Sequence, residues 1–146
     1  MTPDRQSALT RAREAVTSGT FEAALAELVA IASESQNPAG VPELQRYLQR
    51  ALTSRLQAMG FATEIQPNPT GPSILLARRV EGEDLPTMLI YGHGDVVQGQ
   101  ADDWQEGLQP FRLTKVGDRL YGRGTADNKG QHLINLMALE TVLSVR

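Results

Sequence analysis

The chain has 146 residues, 14 of them basic and 17 acidic, which gives a formal net charge of −3 at pH 7. This mildly acidic balance argues against a nucleic-acid-binding surface, and the apolar fraction of 40% is typical of a folded globular protein. The chain has no cysteine, which excludes disulfides, thiolate metal sites and cysteine nucleophiles. No apolar run reaches the roughly 18 residues of a membrane helix, and no signal peptide is recognisable, so we expect a cytoplasmic protein without membrane contact.

Three helices are predicted in the first 60 residues. Thr2-Pro3-Asp4 is typical of a helix start, and Gly19 is expected to end that first helix. The apolar stripe that begins at Phe21 predicts a second helix, which ends at the break at 37–40. Residues 43–59 have the clearest amphipathic pattern and predict the third. We interpret the apolar stripes of all three helices as core packing.

Beyond residue 60 the apolar pattern changes from a helical period to that of strands. Residues 61–65 and 73–80 are each expected to form a strand. The run from Thr87 to Tyr91 has little polar interruption, which favours a strand buried on both faces. Residues 92–110 form a long loop, and loops of that length are usually functional or disordered.

A hairpin and a closing helix complete the predicted elements. Residues 111–116 and 119–121 are expected to pair around a short turn. Residues 128–145 predict a helix that is apolar on nearly all sides and is therefore deeply buried. These elements predict an α/β fold, with N-terminal helices followed by a small mixed sheet and a buried helix, in a single domain over residues 1–146.

The first candidate site residues are His93 and Asp95. His93 stands between two glycines just after the predicted buried strand, and in open α/β sheets sites form at the carboxyl ends of strands. In an extended chain His93 and Asp95 project to the same side. The carboxylate can then accept one ring N–H and leave the other nitrogen free for a metal ion. On spacing alone, an exposed turn with an incidental histidine is the favoured alternative.

The second candidate is Asp127, at the junction between the hairpin and the last helix. Spacing alone favours a helix cap at this position, with a metal ligand as the alternative. The glycine-rich turn before the helix is not a phosphate-binding loop, because Lys129 is followed by Gly130 rather than by Ser or Thr. Three further residues are expected to have structural roles: His132 within the helix, Trp104 as an anchor of the long loop, and Arg123 as a tie within it.

Taken in order, these segments resemble the M20 family of metallopeptidases and amidohydrolases. The resemblance runs from Thr87 to about Leu143 and includes Gly-His-Gly-Asp-Val-Val at 92–97, Trp104, and Gly-Arg-Gly-Thr-Ala-Asp-Asn-Lys-Gly at 122–130. Each segment alone is a weak signal, but the ordered set is specific. It raises the metal-site interpretation above the structural alternatives.

The resemblance implies a zinc-dependent hydrolase. In such a site His93 would bind one zinc ion, Asp127 would bridge two zinc ions, and Asp95 would orient His93. The resemblance also makes the peptide bond between Asp127 and Asn128 a candidate for the cis form. The substrates that it implies are small peptides or N-acyl amino acids, and the segment 127–130 favours the dipeptidase type slightly over the deacylases.

The sequence also departs from the family pattern. Family members continue into a pair of adjacent glutamates, one of them the general base, and into further metal ligands, whereas no Glu-Glu pair occurs in these 146 residues. The Pro common after the His-x-Asp motif is also absent, since Val97-Gln98 stands there. Two ligands do not complete a zinc site. We therefore expect this chain alone to bind zinc weakly or not at all and to be inactive.

Two other hypotheses stay open. In the first, the chain is a non-catalytic binding or interaction module with a vestigial metal site. The apolar surface of its last helix would then be an interface, for example in a homodimer. A nucleotide-binding α/β domain is the weakest interpretation, because no Gly-x-Gly-x-x-Gly follows a strand with an acidic residue downstream. Metal content, and whether the reading frame continues past Arg146 into a Glu-Glu motif, would separate the enzyme from the binding module.

Overall fold

The N-terminal part of the chain is helical. The structure is a computed structural model, and it describes residues 4–145. Of the predicted helix start, Thr2 and Pro3 lie outside the described residues. Asp4 caps the first helix, because its carboxylate accepts the Gln6 N–H at 3.0 Å. Two of the predicted helices follow: α1 (Arg5–Thr17) and α2 (Thr20–Val29).

The third predicted helical stretch is present, but it is not uniform. It consists of α3 (Val41–Arg46), a π-helical segment (Tyr47–Thr53) and α4 (Ser54–Ala58). Within it the Thr53 hydroxyl donates to Leu48 O at 2.8 Å. Segments of π-helix are rare and often occur at functional sites. This one begins at Tyr47, which connects the core to the candidate site.

The strands form two separate antiparallel hairpins rather than one mixed sheet. β1 (Ala62–Gln66) pairs with β2 (Ile74–Arg78), and β3 (Thr114–Val116) pairs with β4 (Arg119–Tyr121). The turn of the second hairpin contains Gly117, whose φ of 62° suits a tight connection between strands. Parallel pairing within residues 4–145 is limited to a bridge between Glu34 and Val96. The fold is therefore α/β as predicted, with small antiparallel sheets.

The hydrophobic core is formed by α2, the π-helical segment and the last helix, α5 (Lys129–Ser144). An ion pair also joins α4 to α5, since Arg55 contacts both carboxylate oxygens of Glu140 at 2.5 and 2.6 Å. Within residues 4–145 no helix is long and apolar enough to cross a membrane. The buried core residues are Leu25, Leu28, Val29, Ile31, Tyr47 and Leu133.

The prediction of a strand buried on both faces at 87–91 is wrong. The segment pairs with no strand in the described part of the chain, and its side chains are exposed, Leu89 at 93%. An unbroken apolar run indicates that a segment is suited to being covered. The run does not indicate which elements pack against the segment, and none of the four described strands pairs with it.

The last helix is also less buried than its composition predicts. Leu133 is fully buried, whereas Ile134 and Val142 are exposed. Contacts with α1 and α2 cover only part of the helix surface. The prediction of deep burial is therefore correct for one side of α5 and wrong for the rest of it.

Candidate metal centre

The loop around His93 is fixed to the chain segment that follows α2. The fully buried Ser33 donates its hydroxyl to Gly94 O at 2.5 Å, and its backbone carbonyl accepts the Val96 N–H at 2.9 Å. Position 94 requires glycine, because a Cβ there would lie 2.1 Å from the Tyr47 ring. Hydrogen bonds and this close approach together hold the backbone that directly follows His93.

Glu34 fixes the more distant part of the same loop. One of its carboxylate oxygens accepts the Gly99 N–H at 2.6 Å, and the other accepts a hydrogen bond from the Asn37 amide at 3.0 Å. The bond from Asn37, then the bond from Gly99, and to a smaller extent the charge of Arg123 hold the pKa of the Glu34 carboxyl below its usual value of 4.5. The folded state therefore favours the ionised carboxylate.

We predict that Glu34 makes part of the stability sensitive to acid. Because its pKa is lower in the folded state, its contribution is present above pH 4.5 and is lost as the pH falls through the folded-state value. Urea unfolding between about pH 6 and about pH 3 should show a steeper loss of stability in the wild type than in Glu34→Gln. The exposed turn residue Glu83 gives the control, since Glu83→Gln should follow the wild type. Parallel curves for Glu34→Gln and the wild type would contradict the prediction.

The two ring nitrogens of His93 face carboxylates on opposite sides. Nδ1 lies 3.1 Å from the backbone oxygen of Asp95 and 3.2 Å from its carboxylate oxygen. Both oxygens accept hydrogen bonds, and only one oxygen faces Nε2, so this arrangement favours the tautomer with the proton on Nδ1. Nε2 then presents its lone pair to Asp127 Oδ1 at 3.1 Å. In that tautomer a lone pair faces a carboxylate, an arrangement that a metal ion shared by the two groups would stabilise.

The spacing between His93 and Asp127 fits a shared metal ion. Zinc binds histidine nitrogen and carboxylate oxygen at about 2.1 Å in tetrahedral geometry, which separates two ligand atoms by about 3.4 Å. The observed separation is 3.1 Å. No cluster of three or more His, Cys, Asp or Glu side chains among residues 4–145 is arranged to hold a metal ion, and Asp95 faces Nδ1, away from Asp127. The two donor atoms thus fit part of a metal site.

Asp127 does not cap the last helix, although its spacing alone favours that role. The N-cap of α5 is Asn128, and no side-chain capping hydrogen bond is present there. The Asp127 side chain is 83% exposed and contacts His93. The peptide bond between Asp127 and Asn128 is cis, which confirms the expectation drawn from the resemblance.

Asn128 and His132 connect this site to the core. Asn128 Oδ1 accepts the His93 N–H at 3.1 Å and lies 3.2 Å from His132 Nδ1. The other ring nitrogen of His132 lies 2.6 Å from the Tyr47 hydroxyl. Burial lowers the pKa of His132 to about 4, so the ring is neutral at pH 7. His132 is thus a structural histidine with a partner at each nitrogen, as predicted.

Lys129 is a buried residue whose position the sequence did not indicate. Its side chain is 0% exposed, and its ammonium donates to Leu28 O at 2.9 Å and to Ile31 O at 2.6 Å, at the C-terminal end of α2. A cation is favourable at this end of a helix. The ammonium also lies 5.1 Å from the centre of the Tyr47 ring. Burial lowers the pKa of Lys129 to about 8, which leaves it protonated at neutral pH.

Trp104 and Arg123 hold the long loop, as expected from the sequence. The Trp104 indole N–H and an Arg123 N–H both donate to Gly99 O, at 2.8 and 3.2 Å. The guanidinium of Arg123 lies 5.6 Å from the centre of the Trp104 ring, within range of a cation–π contact. These contacts fold the loop back on itself at Gly99, whose N–H donates to Glu34.

Residues 89–145 match the model of Peptidase family M20/M25/M40. The Beta-Ala-His dipeptidase of Mus musculus is 38% identical in an alignment of 135 positions that covers 83% of this chain and 27% of that protein. The acetylornithine deacetylase of Proteus mirabilis is 34% identical over 125 residues, 84% of this chain and 31% of that protein. The crystal structure of human carnosine dipeptidase 1 matches with a TM-score of 0.83 at 29% identity, over 99% of this chain and 33% of that one. The chain thus spans about a quarter to a third of the length of these relatives.

Proposed function

Because the chain belongs to the M20 family of peptidases, we propose that it carries part of the di-zinc centre of a hydrolase that cleaves amide bonds. His93 and Asp127 would hold zinc through one nitrogen and one carboxylate. The observation that supports this most strongly is the 3.1 Å contact between His93 Nε2 and Asp127 Oδ1, together with the two Asp95 oxygens that face Nδ1. Zinc, when bound, lowers the pKa of a bound water and polarises the amide carbonyl.

Asp95 would keep the ring of His93 in the tautomer that a metal ligand needs. Its backbone and carboxylate oxygens, 3.1 and 3.2 Å from Nδ1, both accept the proton there. The lone pair of Nε2 is then directed towards Asp127. Asp95 therefore acts through His93, as a positioning residue.

The proposed substrates are small peptides or N-acyl amino acids. A dipeptidase and a deacetylase are both among the relatives, which supports this class without separating its two types. The segment 127–130 favours the dipeptidase type slightly. No adjacent glutamates occur in the sequence, so we propose that these 146 residues alone are inactive. Of the two expectations, weak zinc binding or none, we propose weak binding, because two donor atoms lie within reach of one ion. The cytoplasmic location expected from the sequence stays a prediction.

The test compares the 1–146 chain with any longer product of the same gene. With zinc, the 1–146 chain should leave a β-alanyl dipeptide and an N-acetyl amino acid intact, whereas a longer product that contains a Glu-Glu pair should hydrolyse one of them. Loss of a ligand in His93→Ala or Asp127→Ala should reduce the activity of the longer product by at least about a hundredfold. Full activity in these variants would contradict the assignment of the ligands. Stoichiometric zinc and hydrolysis by the 1–146 chain would contradict its proposed inactivity.

A non-catalytic binding module is the second candidate, and the exposed segment 88–91 favours it. Met88, Leu89 and Tyr91 are all more than 70% exposed, and a contiguous apolar surface often marks an interaction site. In this case the segment would join the chain to a partner, for example a second copy in a homodimer. A 1–146 chain that dimerises and leaves zinc unbound, with no activity in any longer product, would favour this candidate over the hydrolase.

A further inference from the structure

We propose that Tyr47, His132 and Asn128 form a buried hydrogen-bond chain that positions His93 for metal binding. This inference rests on the proposed metal centre and extends it to residues that do not face the metal. Tyr47 lies 85 residues from His132 in sequence, and the two meet at 2.6 Å. Both would act through other residues, so they are positioning residues.

The donors and acceptors of this chain are consistent from end to end. The Tyr47 hydroxyl donates to His132 Nε2 at 2.6 Å, and His132 Nδ1–H donates to Asn128 Oδ1 at 3.2 Å. The same Asn128 oxygen accepts the His93 N–H at 3.1 Å. A single neutral tautomer of His132 satisfies both of its contacts, with one donor and one acceptor at each.

Asn128 is the residue through which the chain reaches both candidate ligands. Its amide nitrogen donates to Gln131 Oε1 at 2.5 Å, which fixes the oxygen end of the amide towards His93 and His132. The oxygen holds the backbone of His93, while Asp127 is the residue directly before Asn128. One side chain thus fixes the separation of two ligands that lie 34 residues apart in sequence.

The buried end of the chain is held rigidly. Tyr47 is 1% exposed. Gly94 lies so close that a Cβ would be 2.1 Å from the Tyr47 ring, and the Lys129 ammonium lies 5.1 Å from the ring centre. These contacts hold the Tyr47 ring in place, and its hydroxyl lies 2.6 Å from His132 Nε2. When every group in a buried hydrogen-bond network has a partner, the network is rigid and fixes the positions of the groups at its two ends.

Tyr47→Phe removes one oxygen and leaves the packing of the ring unchanged. We would compare this variant with the wild-type 1–146 chain by two measurements: hydrogen exchange of the His93 amide, and NMR titration of His93 with Co²⁺. Loss of the hydrogen-bond chain should speed exchange of the His93 amide several-fold. It should weaken Co²⁺ binding by about three- to tenfold, below the 10–100-fold typical of groups that contact a metal ligand directly.

A pair of variants at His132 separates hydrogen bonding from packing. His132→Gln retains one donor and one acceptor, so its His93 amide exchange and Co²⁺ affinity should stay near the wild type. His132→Leu has neither, so it should show the faster exchange and weaker Co²⁺ binding expected of Tyr47→Phe. Arg55→Met serves as the stability control. It removes the ion pair with Glu140 and leaves the chain from Tyr47 to Asn128 intact.

Unchanged exchange and Co²⁺ affinity in Tyr47→Phe and His132→Leu would overturn the proposal. Equal losses in Arg55→Met would also overturn it, because general destabilisation would then explain both effects. A wild-type chain in which Co²⁺ leaves the His93 signals unaffected would refute the proposed metal centre. In that case amide exchange in the variants would still decide whether the hydrogen bonds from Tyr47 to Asn128 position His93.

Discussion

Lys129→Ala should lower the free energy of unfolding by about 2–5 kcal/mol, the range for truncating a large buried side chain to alanine. The ammonium donates to Leu28 O and Ile31 O, and the side chain is 0% exposed. Alanine would leave a cavity and deprive both carbonyls of this donor. Urea unfolding followed by circular dichroism measures the loss.

Two further lysine variants test the cause of this loss. Lys129→Met fills much of the space without a donor, so its stability should lie between those of the wild type and Lys129→Ala. Lys115 pairs with Glu22 at the surface, and Lys115→Ala should cost less than about 1 kcal/mol. Wild-type stability in Lys129→Ala would show that the ammonium does not stabilise the end of α2.

Gly130→Ala should lower the free energy of unfolding by about 3 kcal/mol, at the upper end of the usual cost of overpacking. A Cβ at this buried position would lie 2.0 Å from Thr125 O, a backbone atom that cannot move without the loop. The loop leads directly to Asp127. We therefore expect the substitution to displace Asp127 from His93 as well as to destabilise the fold.

Urea unfolding and the NMR signals of His93 check this second prediction. Gly82 provides the matched control, because a Cβ there would meet only the Leu85 side chain at an ordinary 3.4 Å. Gly82→Ala should leave both the stability and the His93 signals close to the wild type. A Gly130→Ala protein as stable as Gly82→Ala would contradict the close approach of α5 to the loop at Thr125.

The elements that the sequence predicted correctly are those with local signals. Asp4 and Gly19 delimit α1, and the turn at Gly117 marks the second hairpin. Such caps and turns act within a few residues, so their patterns can be read directly. The burial of the segment 87–91, in contrast, depends on contacts that no local pattern specifies. Its apolar run indicates a need for cover, and the described residues leave it exposed.

The candidate site could not be assembled from spacing. Spacing alone favours an exposed turn residue for His93 and a helix cap for Asp127, and only the ordered resemblance joins the two in one site. Their 3.1 Å contact joins residues 34 positions apart, a distance that no local pattern reports. Lys129 was missed for the same reason, because the carbonyls that bind it lie 98 and 101 residues earlier.

The central claim, that His93 and Asp127 share a metal ion, is tested most directly by NMR of the imidazole nitrogens during a Zn²⁺ titration. The chain has only two histidines, and His132 is an internal control because its Nε2 already bonds to Tyr47. We expect His93 to carry its proton on Nδ1 and excess Zn²⁺ to shift its Nε2 signal alone. Asp127→Asn should weaken this response strongly. Zn²⁺ that shifts neither ring, or a response unchanged in Asp127→Asn, would contradict the claim.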